Sequence, residues 1–295
     1  MSETDIEGIT ATEGVLRGRV RRPLNLAADQ RGSIHDDDTA QRLGFRGGTV
    51  AGSIHMDQFP PLLVAAFGPA WFESGSLSLG FRNATTGGEP VVAFAREPVG
   101  TGAAQVDVWM ERDDGMRVAE GTASAGDAGV ATHLHTVDLR ACDPAELRIF
   151  TAVQAGDALT PGRAGIDGGE VRRRIEKGGL TEPLPWYTGD SPWGGPVAHP
   201  SAVVQLLWRS SVGSLARHAD GAVGLFGAIE IRHHRGPVLL DHDYDISGEV
   251  VAVGQSPKTE YVWFDAHAAG GDGARVASMR MQLRWMKASS SHYAA

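Results

Sequence analysis

Apolar and polar positions follow the same succession of patterns in both halves of this chain. Ile54, Met56, Phe59, Leu62, Leu63 and Phe67 fall in one stretch, and Val203, Val204, Leu206, Leu207, Trp208, Val212 and Leu215 in another. Both are apolar nearly all round, which predicts a helix buried on most sides. Pro60-Pro61 predicts a kink in the first, or the end of its first part. The two are entered alike, by Gly47-Gly48-Thr49-Val50-Ala51-Gly52 and by Gly194-Gly195-Pro196-Val197-Ala198-His199. Period-two strands follow each in turn. Gly75 to Leu79 corresponds to Gly227 to Ile231, and each leads to a turn with proline, Gly88-Glu89-Pro90 or Arg235-Gly236-Pro237. Val91 to Phe94 then corresponds to Ile246 to Val253, and Gln105 to Met110 to Tyr261 to His267. Arg117-Val118-Ala119 corresponds to Arg275-Val276-Ala277, which runs on through Met279, Met281, Leu283 and Trp285.

Each half is therefore expected to hold an early strand, a loop, one buried helix and three or four antiparallel strands, an α+β arrangement in which the helix covers the apolar face of the sheet. Two such sheets can pair edge to edge into one. The expected units are residues 1–135 and 136–295, joined by a connection from about Ala128 to Pro144, with weaker boundaries at Asp220-Gly221 and in the tail Ser289–Ala295. The 295 residues suffice for two units of about 130–150 residues, an ordinary domain size.

Composition narrows the function. A formal net charge of −9 argues against general nucleic-acid binding, whose affinity comes from clustered cations. Local basic clusters, Arg17-Arg19-Arg21-Arg22 and Arg172-Arg173-Arg174 with Lys177, read either as solvated surface or as a landing site for a phosphate-bearing ligand. Cys142 is the only cysteine, so an internal disulfide and a cysteine-based metal site are excluded. The acidic start lacks an apolar run, so no signal peptide is expected, and no stretch approaches the roughly 18 apolar residues of a membrane span. A cytoplasmic protein without membrane partners is the expectation.

One helix wrapped by an antiparallel sheet, twice over, resembles the double-hotdog group of MaoC-like, (R)-specific enoyl-CoA hydratases. That family carries a loop Gly-Asp-x-Asn-Pro-Leu-His-x-Asp, then Ala, Gly-Phe and a Pro-Ile-x-His-Gly helix start. The corresponding stretch here is Asp29-Gln30-Arg31-Gly32-Ser33-Ile34-His35-Asp36, then Ala40, Gly44-Phe45 and Gly48-Thr49-Val50-Ala51-Gly52. Without gaps, Asp29, Asp36, Ala40, Gly44, Phe45 and Gly52 fall on family positions. The family's catalytic histidine falls on Ile34, with His35 one residue later, and Arg31-Gly32 replaces Asn-Pro. The resemblance implies a double hotdog that adds or removes water across the 2,3-bond of an enoyl thioester, on coenzyme A or a carrier protein, without cofactor or metal. It implies Asp29 and His35 for acid–base work and the Gly52 amide, at a helix start, for the enolate oxygen.

Other readings stay open. His35-Asp36-Asp37-Asp38 also reads as a helix N-terminus with acidic residues in its first turn. Trp186 to Gly195 leads into the second helix, and Tyr187, Asp190, Trp193 and His199 could line a pocket or be only turn and core residues. His55, in the first helix, is a further candidate for substrate contact. His233-His234 and Asp241-His242-Asp243 have metal-ligating side chains but no clear third ligand. A hotdog thioesterase, a lyase or cyclase on a small non-thioester molecule, and a non-catalytic acyl-binding protein are the alternatives. Monomer and homodimer are both compatible with a tandem repeat.

Overall fold

The computed structural model describes residues 8–100, 102–219 and 221–294. The acidic start before residue 8, Asp220 of the weak boundary and Ala295 of the tail lie outside them. The first half opens with β1 (Thr10–Thr12) and β2 (Val15–Arg17), followed by the short helix α1 (Asp37–Arg42). The predicted first buried helix is two helices, α2 (Gly52–Met56) and α3 (Pro60–Phe67). Pro60 and Pro61 offer no amide to the turn before them, so the break falls at residues 57–59 and Pro60 starts the new helix. After α4 (Trp71–Ser74) come β3 (Ser76–Phe81), β4 (Val91–Arg96), β5 (Ala104–Arg112) and β6 (Arg117–Ala125).

The connection is longer than its sequence suggested. It contains α5 (His133–Thr136) and runs to β7 (Gly162–Gly165). Leu134 of α5 is buried with Ala228, Ala252, Tyr261 and Trp263 on the outer face of the sheet. Further on, the buried Glu260 carboxylate accepts the backbone N–H groups of Arg148, Ile149 and Phe150, which fixes the connection to the second half. The second half continues with α6 (Gly168–Glu176), the long helix α7 (Pro200–Ala216), then β8 (Gly224–His233), β9 (Asp243–Gln255), β10 (Thr259–Ala269) and β11 (Arg275–Met286).

The eleven strands among the described residues form one sheet in the order β1-β2-β4-β5-β6-β3-β8-β11-β10-β9-β7. The halves meet where β3 pairs antiparallel with β8, Leu77 opposite Ile231 and Leu79 opposite Ile229. Each of those side chains is fully buried, because both strands are central and the helices cover them. At the seam, Glu230 takes the hydroxyls of Ser78 at 2.7 Å and Thr132 at 2.6 Å, which satisfies an otherwise costly buried carboxylate. Met56, Phe59, Leu62 and Leu63 share one apolar core with Val203, Leu206 and Leu207 of α7.

The two helix starts correspond one residue differently from the glycine match. Thr49 bridges to Thr86 and Val197 to Leu239, each three residues before the first helical position. Thr49 is therefore the counterpart of Val197, Ala51 of His199, and Gly52 of Pro200. The paired glycines attract alignment but serve turns of different shape. Among the described residues no helix is long and apolar enough to cross a membrane, and no cluster of three metal-ligating side chains occurs.

Candidate active site

A cavity of about 470 Å³ lies between the halves. The first half supplies the loop around Gln30, Ser33 and His35, the start of α2 and the end of β3; the second supplies Trp208 and Val212 of α7 with β8 and β11. Its walls are mainly apolar, with a few polar groups converging on them, as in sites for small ligands.

His35 is fixed by its surroundings rather than by regular structure. Its backbone N–H donates to the Ser33 hydroxyl at 3.1 Å, and its carbonyl accepts the Asn25 amide at 2.7 Å. A Cβ on Gly48 would stand 2.1 Å from that carbonyl oxygen, so only glycine permits the crossing. The His35 Nδ1 lies 2.7 Å from the Thr49 carbonyl oxygen. A carbonyl only accepts, so Nδ1 donates to it, and in the neutral imidazole Nε2 then keeps the lone pair. His35 is followed directly by Asp36, the N-cap of α1, whose carboxylate takes the Thr39 hydroxyl at 2.6 Å. That hydrogen bond, with a further one from the Gly32 amide, holds the Asp36 carboxyl below its usual range. Asp36 holds the N-cap position without a side-chain bond to the helix amides, and His35 beside it is one of the residues that line the cavity.

The other site candidates separate. Asp29 is exposed and does not line the cavity, whereas its neighbour Gln30 does. Gly52 is the first residue of α2 and lines the cavity; its amide is among those with no acceptor inside the helix. The space its missing Cβ leaves is not open, because an added Cβ would stand 2.5 Å from the Phe81 ring. His55 lines the inner wall, its Nε2 2.8 Å from the Thr85 hydroxyl. Burial pushes His55 down to about 4 despite nearby Asp57 and Glu89, so it is neutral at pH 7. No acidic side chain lines the cavity among the described residues.

Tyr187, Asp190, Trp193 and His199 lie away from this cavity. Asp190 is exposed. Trp193 donates its indole N–H to Glu73 at 2.9 Å and packs on Trp186 and Phe72, part of an aromatic layer between the halves. His199 caps α7 and joins a buried cluster that residue spacing did not disclose. Its Nδ1 lies 3.1 Å from Asp57, whose carboxylate also takes the Ser201 amide at 2.8 Å, the Ser201 hydroxyl at 2.6 Å and Arg174 at 3.1 Å. Burial would raise the Asp57 carboxyl, but His199, Arg174 and Ser201 outweigh it and hold it below its usual value. Tyr187 packs on His199 at 5.7 Å, and its fully buried hydroxyl has no partner among the described residues. Burial, then Asp57 and Glu182, raise that phenol well above its usual value. Asp57, His199 and Ser201 are each no more than 1% exposed, so a substrate has no access to them as they stand. Asp57 stood out in the sequence only as a neighbour of His55, and Gln30, Phe81 and Arg284 were not singled out; the Asp57 contacts with His199, Ser201 and Arg174 join distant segments.

No protein-family model and no curated protein sequence matches this chain. Solved structures do. A chain described as a MaoC domain dehydratase, from Chloroflexus aurantiacus J-10-fl, superposes with a TM-score of 0.62 at 12% identity, covering 95% of this chain and 94% of its own. A MaoC-like dehydratase gives 0.50 at 13% identity, over 93% of this chain and 97% of its own. The dehydratase domain of RzxB from Pseudomonas fluorescens gives 0.51 at 12% identity, over 94% and 96%. At these identities the likeness is one of fold: the chain is a double hotdog of the kind seen in MaoC-like dehydratases.

Proposed function

We propose that this protein is a hydratase or dehydratase acting on the 2,3-bond of an enoyl thioester, with His35 as its acid–base residue. The observation that carries the reading is the 2.7 Å contact of His35 Nδ1 with the Thr49 carbonyl oxygen, in a residue that lines a largely apolar cavity. In the neutral imidazole that contact puts the proton on Nδ1 and leaves Nε2 able to act as a base. Three solved chains that share the fold over more than nine-tenths of this chain are described as dehydratases, which supports the same class of chemistry.

In the hydration direction, Nε2 takes a proton from water as the water oxygen bonds to C3. The electron pair of the 2,3-bond moves to the enolate, whose oxygen the first-turn amide of Gly52 stabilises. The imidazolium then returns the proton to C2. Every atom of the water ends on the product, and dehydration is the reverse. Gln30 occupies the neighbouring wall position. Its amide can orient the water but cannot take a proton, so one residue performs both proton transfers. Asp29, exposed on the loop, has no part in this scheme.

The absence of a carboxylate among the described lining residues favours one other reading, a non-catalytic acyl-binding protein, over a thioesterase. Crotonyl-CoA and a longer 2-enoyl-CoA, followed by loss of the conjugated-thioester absorbance with thiol release measured alongside, separate the three. Hydration that falls by about 10²–10⁴ in His35→Ala, without thiol release, is the expected result. A folded wild type that binds the thioesters and turns over neither would replace the hydratase with the binding protein, and thiol release would replace it with a thioesterase.

A further inference from the structure

Arg284, on β11, lines the cavity and has no carboxylate partner among the described residues. Its Nε donates to Gln282 Oε1 at 2.7 Å, and its guanidinium lies 5.8 Å from the Tyr261 ring centre. Room for that pair is made by Gly227, where a Cβ would stand 2.3 Å from Gln282 Oε1 and 2.6 Å from Arg284 Nε. Arg82 lines the same cavity and is exposed at its mouth, its own charge paired to Glu120 at 2.9 Å. Burial depresses the Arg284 guanidinium's pKa, Tyr261 opposes this, and Arg82 and Arg140 add to the depression. A positioned, half-buried cation without an anionic partner is less favourable than one that has such a partner. An anion entering the cavity would relieve it, and the planar fork suits carboxylate or phosphate.

We propose that Arg284, seconded by Arg82, is an anion subsite of this cavity, so that the substrate carries a phosphate or a carboxylate within reach of it. The proposal rests on the thioester reading above and narrows its substrate class. The anion has two sources, a phosphate of the pantetheine carrier or a carboxylate on the acyl chain.

Calorimetric binding of three probes tests it without requiring turnover: crotonyl-CoA, crotonyl-pantetheine (no charge) and glutaconyl-pantetheine (a carboxylate but no phosphate). Arg284→Gln is expected to weaken an anionic probe by about 10- to 100-fold while leaving crotonyl-pantetheine unchanged. Loss confined to crotonyl-CoA assigns the phosphate, and loss confined to glutaconyl-pantetheine assigns the carboxylate. Arg284→Lys, keeping the charge, should recover part of the affinity. In the wild type, raising the salt should weaken only the anionic probe, a readout that needs no variant. Equal affinities in wild type and Arg284→Gln, equal losses for charged and uncharged probes, or no binding of any probe would each overturn the subsite. Arg284-dependent binding without any turnover would instead leave the subsite standing and remove the hydratase.

Discussion

Replacing Asp57 by Asn tests whether the cluster of Asp57, His199, Ser201 and Arg174 is structure or chemistry. The side chains are of acid–base type, and the Asp57 and His199 contact looks catalytic in isolation. The geometry says otherwise. The carboxylate is fully buried, Arg174 is 16% exposed, and three donors converge on its two oxygens, the Ser201 amide, the Ser201 hydroxyl and Arg174, with His199 Nδ1 at 3.1 Å. Asparagine keeps the shape but turns an NH₂ toward donors and leaves Arg174 without its counter-charge. Breaking a buried pair by removing one partner costs about 3–5 kcal/mol. At about 2 °C per kcal/mol for a chain of this size, Tm should fall by about 6–10 °C. Thermal unfolding followed by circular dichroism at pH 7 measures it. Turnover of an enoyl-CoA by the folded variant, assayed well below its Tm, should stay within about twofold of wild type. A Tm loss below about 2 °C would refute the energetic argument. Unchanged Tm with abolished turnover would move the active site to Asp57 and His199.

Two further perturbations follow from the same cavity. Gly52→Ala should stabilise α2 by about 0.5–1 kcal/mol on helix propensity alone, yet the added Cβ meets the Phe81 ring at 2.5 Å, and overpacking costs about 1–3 kcal/mol. A net loss in urea unfolding, recovered by adding Phe81→Leu, is expected; a more stable Gly52→Ala protein would show that the ring moves away freely. The second concerns acid. His55 and His233 are both pushed by burial from 6.5 to about 4, so folding favours their neutral forms. Their contribution is full above pH 6.5 and is lost as the pH falls from there to about 4, by roughly 3 kcal/mol for each. The urea midpoint should therefore drop steeply across that window, and a flat profile between pH 6.5 and 4.5 would contradict the burial argument.

The fold was legible because it is written in local periods. Alternation marks β3 and β8 through β11, and the apolar stretches mark the helices, since each strand or helix must show one face to the core whatever its neighbours are. Pro60-Pro61 even located the helix break. The site was legible only in part. His35, Gly52 and Asp29 could all be named as candidates because the resembling motif runs along one short loop-and-helix segment; the first two line the cavity. Asp29 was named instead of Gln30 because a one-residue difference in a loop is invisible until the loop's turns are known. Phe81 stands on a strand whose alternation gives a face but not the helix start opposite, and Arg284 on one whose alternation does not show the Gly227 gap beside it. Asp57 lies 142 residues from His199, and no spacing rule links them.

The tandem repeat has two helix starts at corresponding places, and they differ in what they could offer a ligand. At the first, Gly52 keeps an N–H and lines a cavity that contains no acidic side chain among the described residues. At the second, its counterpart is Pro200, which has no N–H to offer an oxyanion. The next amide, Ser201, is already taken by Asp57 at 2.8 Å. That carboxylate is an internal anion at the positive end of a 17-residue helix, where a ligand's anion would otherwise be favoured. It comes from the break between α2 and α3, the same break that the two prolines impose. The proline pair thus frees Asp57 from a helix interior, and Asp57 fills the second helix start from within the chain. Asymmetry of site in a symmetric fold follows from those few residues.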